Sequence, residues 1–449
     1  MKSRWWLLPP ADRKVWLGNH NQEEETTMKK LSRRTRKSEK HFEQVPLSRD
    51  ERVAMIQDGL HSLACELGLM AAQELLKAEV EDLCGPMHQR LPGRPASRWG
   101  SQGGTVVLAG RKVPIQKPRA RLAGGGEATL ATYRRMQSPD AMSENALRLM
   151  VRGVSCREYE GCLEPLAKGF GAKRASVSRG FVKASARQMK GLAERRFDGQ
   201  QFVAVFIDGV PYGGEMLVVA LGVKAGTGAG EKVILGLRQG ATENAQVCTD
   251  LLTDLRDRGL SFEDPMLFVL DGSKALTAAV KRLCGSQVTI QRCQQHKTRN
   301  VLGYLAEKYH DDIRCRMADA YACKNWQEGQ KRLNALAAWL MRINKDAASS
   351  LREGLDETLT VARLGLPPML ARSLVTTNPI ESAFSVAAKV TGRVKRWRGG
   401  DMRQRWATAG LMRAESAFKR LKGYREIPVL QAALKRSVNG GVDIEEAVA

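Results

Sequence analysis

Apolar and polar positions change rhythm several times along this chain, and the changes divide it into regions. Behind a capping box of Ser48 and Glu51, Val53, Ile56, Leu60, Leu63 and Ala64 recur at helical spacing. A second helix is predicted over about Met70–Leu83, stopped by Gly85-Pro86. "GTVVLAGRKVPIQKPRAR" at 104–121 reads as a basic hairpin that runs into the loop "AGGGEA". Between Ser143 and Leu192 the period is helical again, in three segments parted by short Gly-containing turns. They are "SENALRLMVRG", "VSCREYEGCLEPLAKGFG" and "ASVSRGFVKASARQMKGL", with Ser155 and Glu158 at capping-box spacing and Ser176 placed to cap the third.

After Phe197 the texture becomes α/β. "FVAVFIDGV" (202–210) and "MLVVALGV" read as strands joined by the turn "PYGG", "EKVILGLRQG" as a third strand, and 243–259 as a helix. Met266–Leu270 repeats the opening theme, an apolar strand ending in Asp-Gly and entering a helix to about Leu283, and "QVTIQRC" adds one more strand. From about Leu302 to Leu370 the pattern is helical and amphipathic throughout. The resulting division is a basic disordered arm (1–45), a helical and hairpin DNA-binding region (46–138), a helix-turn-helix region (139–197), an α/β core in two parts (198–301 and 373–425) around a helical insertion (302–372), and a tail (426–449). Within the arm, Met28 reads as a more plausible start than Met1.

Charge sharpens this picture. Lys and Arg number 72 against 48 Asp and Glu, a net of +24, which calls for a polyanionic partner, nucleic acid before a membrane surface. No apolar run approaches the roughly 20 residues of a membrane span. The nine cysteines are scattered without paired CxxC spacing, which argues against a disulfide framework or a zinc ribbon and suits a reducing cytoplasm. Arg174, Ser178, Arg179 and Lys183 open the last of the three helical segments, where a helix-turn-helix would present them to a DNA groove; a solvated three-helix bundle fits the same pattern. "KVTGRVKRWRGGDMRQRW" crowds Lys389, Arg393, Lys395, Arg396, Arg398, Arg403 and Arg405 beside Trp397 and Trp406, a mixture suited to distorted or strand-separated DNA. Trp326 and Trp339 read as core.

Two strands of one domain each end in Asp-Gly, at Asp208 and Asp271. A turn aspartate explains either one alone. Side by side in a parallel pair, the two would share one edge of the sheet, where their mutual repulsion calls for a cation, and hard oxygen ligands suit Mg²⁺ or Mn²⁺. A third carboxylate is available in "TTNPIESAF": Asn378 caps a helix, Pro379 suits its first turn, and Glu381 follows three residues after the cap, where it serves the cap amide, a metal, or both.

Strand-Asp208, strand-Asp271, helical insert and helix-borne Glu381 together resemble the DDE transposases with an RNase H-like core. "DGSKAL", "RCQQHKTRNV" and "TTNPIESAF" are similar to signatures of the Mutator-type bacterial insertion-sequence transposases, over roughly residues 140–425. The spacing agrees, with Asp271 63 residues after Asp208 and Glu381 110 residues further on. The resemblance implies an α/β fold with an RNase H-like mixed sheet flanked by helices, and places the catalytic, metal-binding acids on Asp208, Asp271 and Glu381. It implies two Mg²⁺ or Mn²⁺ ions per site, double-stranded DNA (transposon ends and target) as partner, and a homodimer or larger synaptic assembly. Its Cys-x-x-His signature falls on Cys293 and His296, too few ligands for zinc; His296, with Lys297 and Arg299, is expected to face DNA or order the edge of the site. Two rivals stay open: a non-catalytic DNA-binding regulator, and an RNase H-like structure-specific nuclease that cuts without joining.

Overall fold

The computed structural model describes residues 49–89, 92–108, 110–163, 172–240, 245–285, 288–392, 394 and 396–439, with side chains omitted for 49–62, 64 and 65. The expected arm at 1–45, the Ser48 cap and Lys395 and Arg393 of the basic run therefore lie outside the described residues.

Where two helices were expected before Gly85, one helix, α1, runs Arg49–Cys84; the residues between the two apolar sets contain no proline and only single glycines, which weaken a helix without ending it. Ala72, Leu76, Val80 and Cys84 of α1 pack on Val106, Ile115 and Ala120 of an antiparallel hairpin, β1 (Ala96–Leu108) and β2 (Arg111–Leu122). Two helices follow, α2 (Ala131–Met136) and α3 (Asp140–Val151), and later the long α4 (Arg174–Ala193). Between α3 and α4 the expected middle helix is replaced, among the described residues, by a turn and a 3₁₀ helix at Glu160–Cys162. Its Ser155–Glu158 box does close, Glu158 N donating to Ser155 Oγ and Ser155 N to Glu158 Oε2, but it caps only that turn. Ser176 lies inside α4, whose cap position is Lys173.

The central sheet has the order β5-β4-β3-β6-β7, built from β3 (Phe202–Tyr212), β4 (Glu215–Lys224), β5 (Lys232–Gly240), β6 (Leu267–Leu270) and β7 (Thr289–Arg292). The first three pair antiparallel; β6 and β7 add parallel to β3. Both faces are covered, which is why these strands read as unbroken apolar runs. On one face Ala204, Phe206, Leu267 and Val269 meet α14 (Asn378–Thr391), α15 (Met402–Ser416) and α16 (Ile427–Asn439). On the other, Val205, Ile207, Phe268 and Leu270 meet α5 (Ala245–Asp257) and α6 (Lys274–Cys284). Helices α14 and α15 cross so closely that a Cβ on Gly410 would lie 2.7 Å from Ala387 Cα.

After β7 come α7 (Gln294–Leu302), α8 (His310–Tyr321), α9 (Trp326–Leu340) and α10 (Lys345–Arg352), then the short α11 (Leu355–Thr358), α12 (Thr360–Arg363) and α13 (Pro368–Leu374). This helical segment has its own core, from Val301 and Ile313 through Leu336 to Leu359, with Trp339 packed against it. Among the described residues no helix is long and apolar enough to cross a membrane, and the described cysteines are all free.

Candidate functional site

Asp208 does not end its strand. β3 continues antiparallel to β4 as far as Tyr212, with Asp208 opposite Val219, but its parallel pairing with β6 stops at Ile207, opposite Leu270. Asp208 and Asp271 are thus each the first residue beyond the last paired position of neighbouring parallel strands. Alternation along β3 and β6 puts both in phase with Phe206 and Val269, on the face packed by α14. The strand end expected at Asp208-Gly209 does not occur, because ladder partners on β4 remain available beyond Asp208, and the chain turns at Gly213-Gly214, within the expected "PYGG".

Two helix N-termini converge on this edge. Cys293 N donates to Leu270 O, and Gln294 N donates to Val375 O at 3.0 Å, tying the start of α7 to the segment that leads into α14. Thr377, not Asn378, stands at the cap position of α14, and Asn378 is its first helical residue. The Thr377 hydroxyl makes no cap bond; it lies 3.2 Å from His296 Nδ1, 3.4 Å from Glu381 Oε1 and 3.5 Å from Cys293 Sγ. The buried Cys293 sulfur also accepts from His296 N and Thr377 N, so the Cys-x-x-His spacing serves to cap α7 and fasten it to α14. Metal-ligand spacing and helix capping look alike in a sequence, and nothing in the residues around Thr377 marked its hydroxyl as the hub.

Ligand atoms of Asp208, His296 and Glu381 lie within 4.8 Å of one another. Asp271 is outside that trio, its Oδ1 accepting from Ser273 N at 2.8 Å, yet its charge is felt at Asp208. Burial first, then repulsion by Asp271, outweighs the pull of His296 and, with a smaller push from Glu381, raises the Asp208 carboxyl to about 8. Asp208 is 5% exposed, and among the described residues its carboxylate accepts from its own neighbour, Gly209 N. His296 is raised to about 9, by its Cys293 contact first, against the cost of burial, and then by Asp208 and Glu381. His296 Nε2 stands 3.4 Å and Arg299 3.6 Å from Glu381 Oε1. The carboxylates of Asp208 and Glu381 beside an imidazole, with Asp208 buried and repelled by Asp271, fit a divalent cation: added positive charge would offset the burial and repulsion that raise Asp208.

Lys297, expected to face DNA, is fully buried: its ammonium donates to Ser350 O and Glu353 O at the end of α10 and is pushed down to about 8 by burial and the neighbouring Arg292. That expectation is corrected, because the helical turn places position 297 against the helical segment rather than solvent. Arg292 completes the same clasp, donating to Gly272 O and Glu353 O. A Cβ on Gly272 (φ 97°) would fall 2.1 Å from its guanidinium, so only glycine fits directly after Asp271.

Arg174, Ser178, Arg179 and Lys183 lie on the exposed side of α4, with Lys183 3.0 Å from Asp140 of α3. The basic run around 389–406 does not form one surface. Arg396, Arg398 and Lys389 are exposed, but Arg403 pairs with Glu215 and donates to Gly213 O, and Arg405 is buried against Asp401. Trp397 lies over Gly213 and beside Tyr212, and Trp406 stacks on Phe181 with ring centroids 4.4 Å apart. Both tryptophans are half-buried against these partners, Trp397 in the segment between α14 and α15 and Trp406 on α15.

Residues 37–396 match the family "Transposase, Mutator family", and the chain belongs to that family. It is similar to the transposase for insertion sequence element ISRM3 of Rhizobium meliloti, 26% identical over 354 residues, 77% of this chain and 84% of that protein. It is likewise similar to the transposase for element IS6120 of Mycolicibacterium smegmatis (27% over 251 residues, 54% and 75%) and that for IS1201 of Lactobacillus helveticus (25% over 345 residues, 74% and 88%).

Proposed function

We propose that this transposase cleaves DNA at the ends of an insertion sequence and joins the freed ends to target DNA, with Asp208, Asp271 and Glu381 as its catalytic acids. The observation that carries the reading is the convergence at one sheet edge of a buried Asp208, its carboxyl driven upward, with Glu381, beside Asp271 on the adjacent strand. Sheet order, strand directions and the helical segment set between β7 and α14 support an RNase H-like core. Asp208 and Glu381, with Asp271 or His296 completing the set, would hold divalent metal. Bound Mg²⁺ or Mn²⁺ supplies activation of the attacking oxygen and stabilisation of the leaving oxygen in an in-line displacement at phosphorus. The chain's own residues hold the geometry: Thr377 orients His296 and Glu381 at the N-terminus of α14. Exposed cations, Arg174 and Arg179 of α4 with Arg299, Arg396 and Arg398, supply phosphate contacts.

The test incubates purified protein and Mg²⁺ or Mn²⁺ with labelled duplex drawn from the DNA flanking the coding sequence. Nicked and joined products that vanish in Asp208→Asn and Glu381→Gln, with DNA binding kept, support the assignment. Products that persist in either variant sink it, and nicking that never leads to joining favours a nuclease.

A further inference from the structure

A cleft of about 650 Å³ opens between α7 and α10, beside the acidic edge. Its walls differ in chemistry. Arg299 and Lys274 line one side: the Arg299 guanidinium also stands 3.6 Å from Glu381, and Lys274 follows Asp271 by three residues, so this wall is continuous with the proposed catalytic edge. Asp346 and Glu353 of the helical segment line the other. Between them Tyr304, 52% exposed, and the exposed Asn300 present a ring and an amide. A Lys274–Glu353 ion pair of 3.5 Å joins the walls and is solvated enough that parting it costs little, while Arg292 stays 3.4 Å from the other Glu353 carboxylate oxygen.

We infer that this cleft takes one unpaired nucleotide of the DNA strand handled at the edge, an inference that rests on the function proposed above. A phosphodiester suits the Arg299–Lys274 side and is repelled by the far wall. Carboxylates of Asp346 and Glu353 accept hydrogen bonds from exocyclic amino groups, of which a paired base offers one hydrogen from the groove and an unpaired base its whole Watson–Crick edge. An exposed tyrosine between the two walls gives the base a surface to stack on. The volume suits a ligand of this size. The acidic wall favours cytosine, which carries an amino group, over thymine, which does not.

The experiment uses the full chain and duplexes that carry one unpaired 5-iodocytosine, in an arm drawn from the flanking DNA and an arm of unrelated sequence. Each is irradiated and the crosslinked residue mapped by mass spectrometry. The expected result is a crosslink at Tyr304, lost in Tyr304→Ala but kept in Tyr304→Phe. Tyr304→Ala should also weaken binding of the unpaired-cytosine duplex about tenfold and leave fully paired DNA unaffected. A crosslink confined to the flanking-DNA arm assigns the nucleotide to the transposon end, and one in both arms assigns it to DNA generally. Crosslinks that map away from the cleft, or Tyr304→Ala binding both duplexes like the parent chain, overturn the inference. Nicking scored in the same tubes keeps the two claims apart: nicking without a Tyr304 crosslink removes the cleft alone, and a Tyr304 crosslink without nicking removes the cleavage chemistry alone.

Discussion

Two carboxylates in this protein have opposite surroundings. Beside β2 of the hairpin, Glu127 sits between Arg119 and Lys117, 2.9 Å from each, and these partners draw its carboxyl down to about 2. At the sheet edge Asp208 is buried near Asp271 and Glu381 and is driven up to about 8. One acid is satisfied by its own fold; the other is kept out of balance by it. Scaffold charges are neutralised within the chain, whereas an acid whose surroundings oppose its charge needs something from outside it, and strongly displaced acids in such places gather at working sites.

The strongest way to break this contrast is to remove the unsatisfied charge. Asp208→Asn should reduce DNA-end cleavage below detection while raising the melting temperature of metal-free protein above pH 8, where Asp208 is ionised, because it deletes a buried charge that repels its neighbours; cleavage assays and calorimetry on one preparation check both signs. Next comes the frame that holds Asp271. Gly272→Ala forces a side chain into the Arg292 guanidinium at a positive φ and should cost about 2 kcal/mol in denaturant unfolding. A smaller effect is expected from Thr377→Val, which keeps the shape but removes the hydroxyl shared by His296, Glu381 and Cys293: turnover should fall about tenfold with DNA affinity unchanged.

The satisfied acid should give the smallest effect, and one seen only at low pH. With a folded pKa depressed to about 2 against an ordinary 4.5, Glu127 contributes stability that is present above 4.5 and lost as pH falls from there toward 2. Amide exchange in β1 and β2 should therefore quicken across that window in the parent chain. In Glu127→Gln it should be slightly faster at neutral pH and flat through the same range.

Much of this arrangement is written locally in the residues. The apolar runs at 202–207 and 267–270, each closed by Asp-Gly, announce two buried strands with acids at their ends, and Asn378-Pro379 announces the helix that carries Glu381. What stays hidden depends on contacts distant along the chain. Nothing near Lys297 says that its ammonium meets carbonyls more than fifty residues later, and nothing near Trp406 announces Phe181. That β3 runs on past Gly209 is decided by the length of β4, and α1 reads as two helices because its apolar positions change face midway. Charge counts do not distinguish a cation facing DNA, such as the exposed Arg396, from one committed to the protein, such as Arg405.

β3 keeps company with two strands of unequal reach, and this has consequences for how the chain can vary over time. Beyond Ile207 it belongs to a three-stranded tongue with β4 and β5, so residues can be added or lost at the Gly213-Gly214 tip without disturbing the acids behind it. A single insertion between Ala204 and Ile207, by contrast, would swing Asp208 through the sheet toward α5 and α6, away from Glu381. Descendants of this gene are free to experiment at the tip of the tongue and bound to keep count at its root.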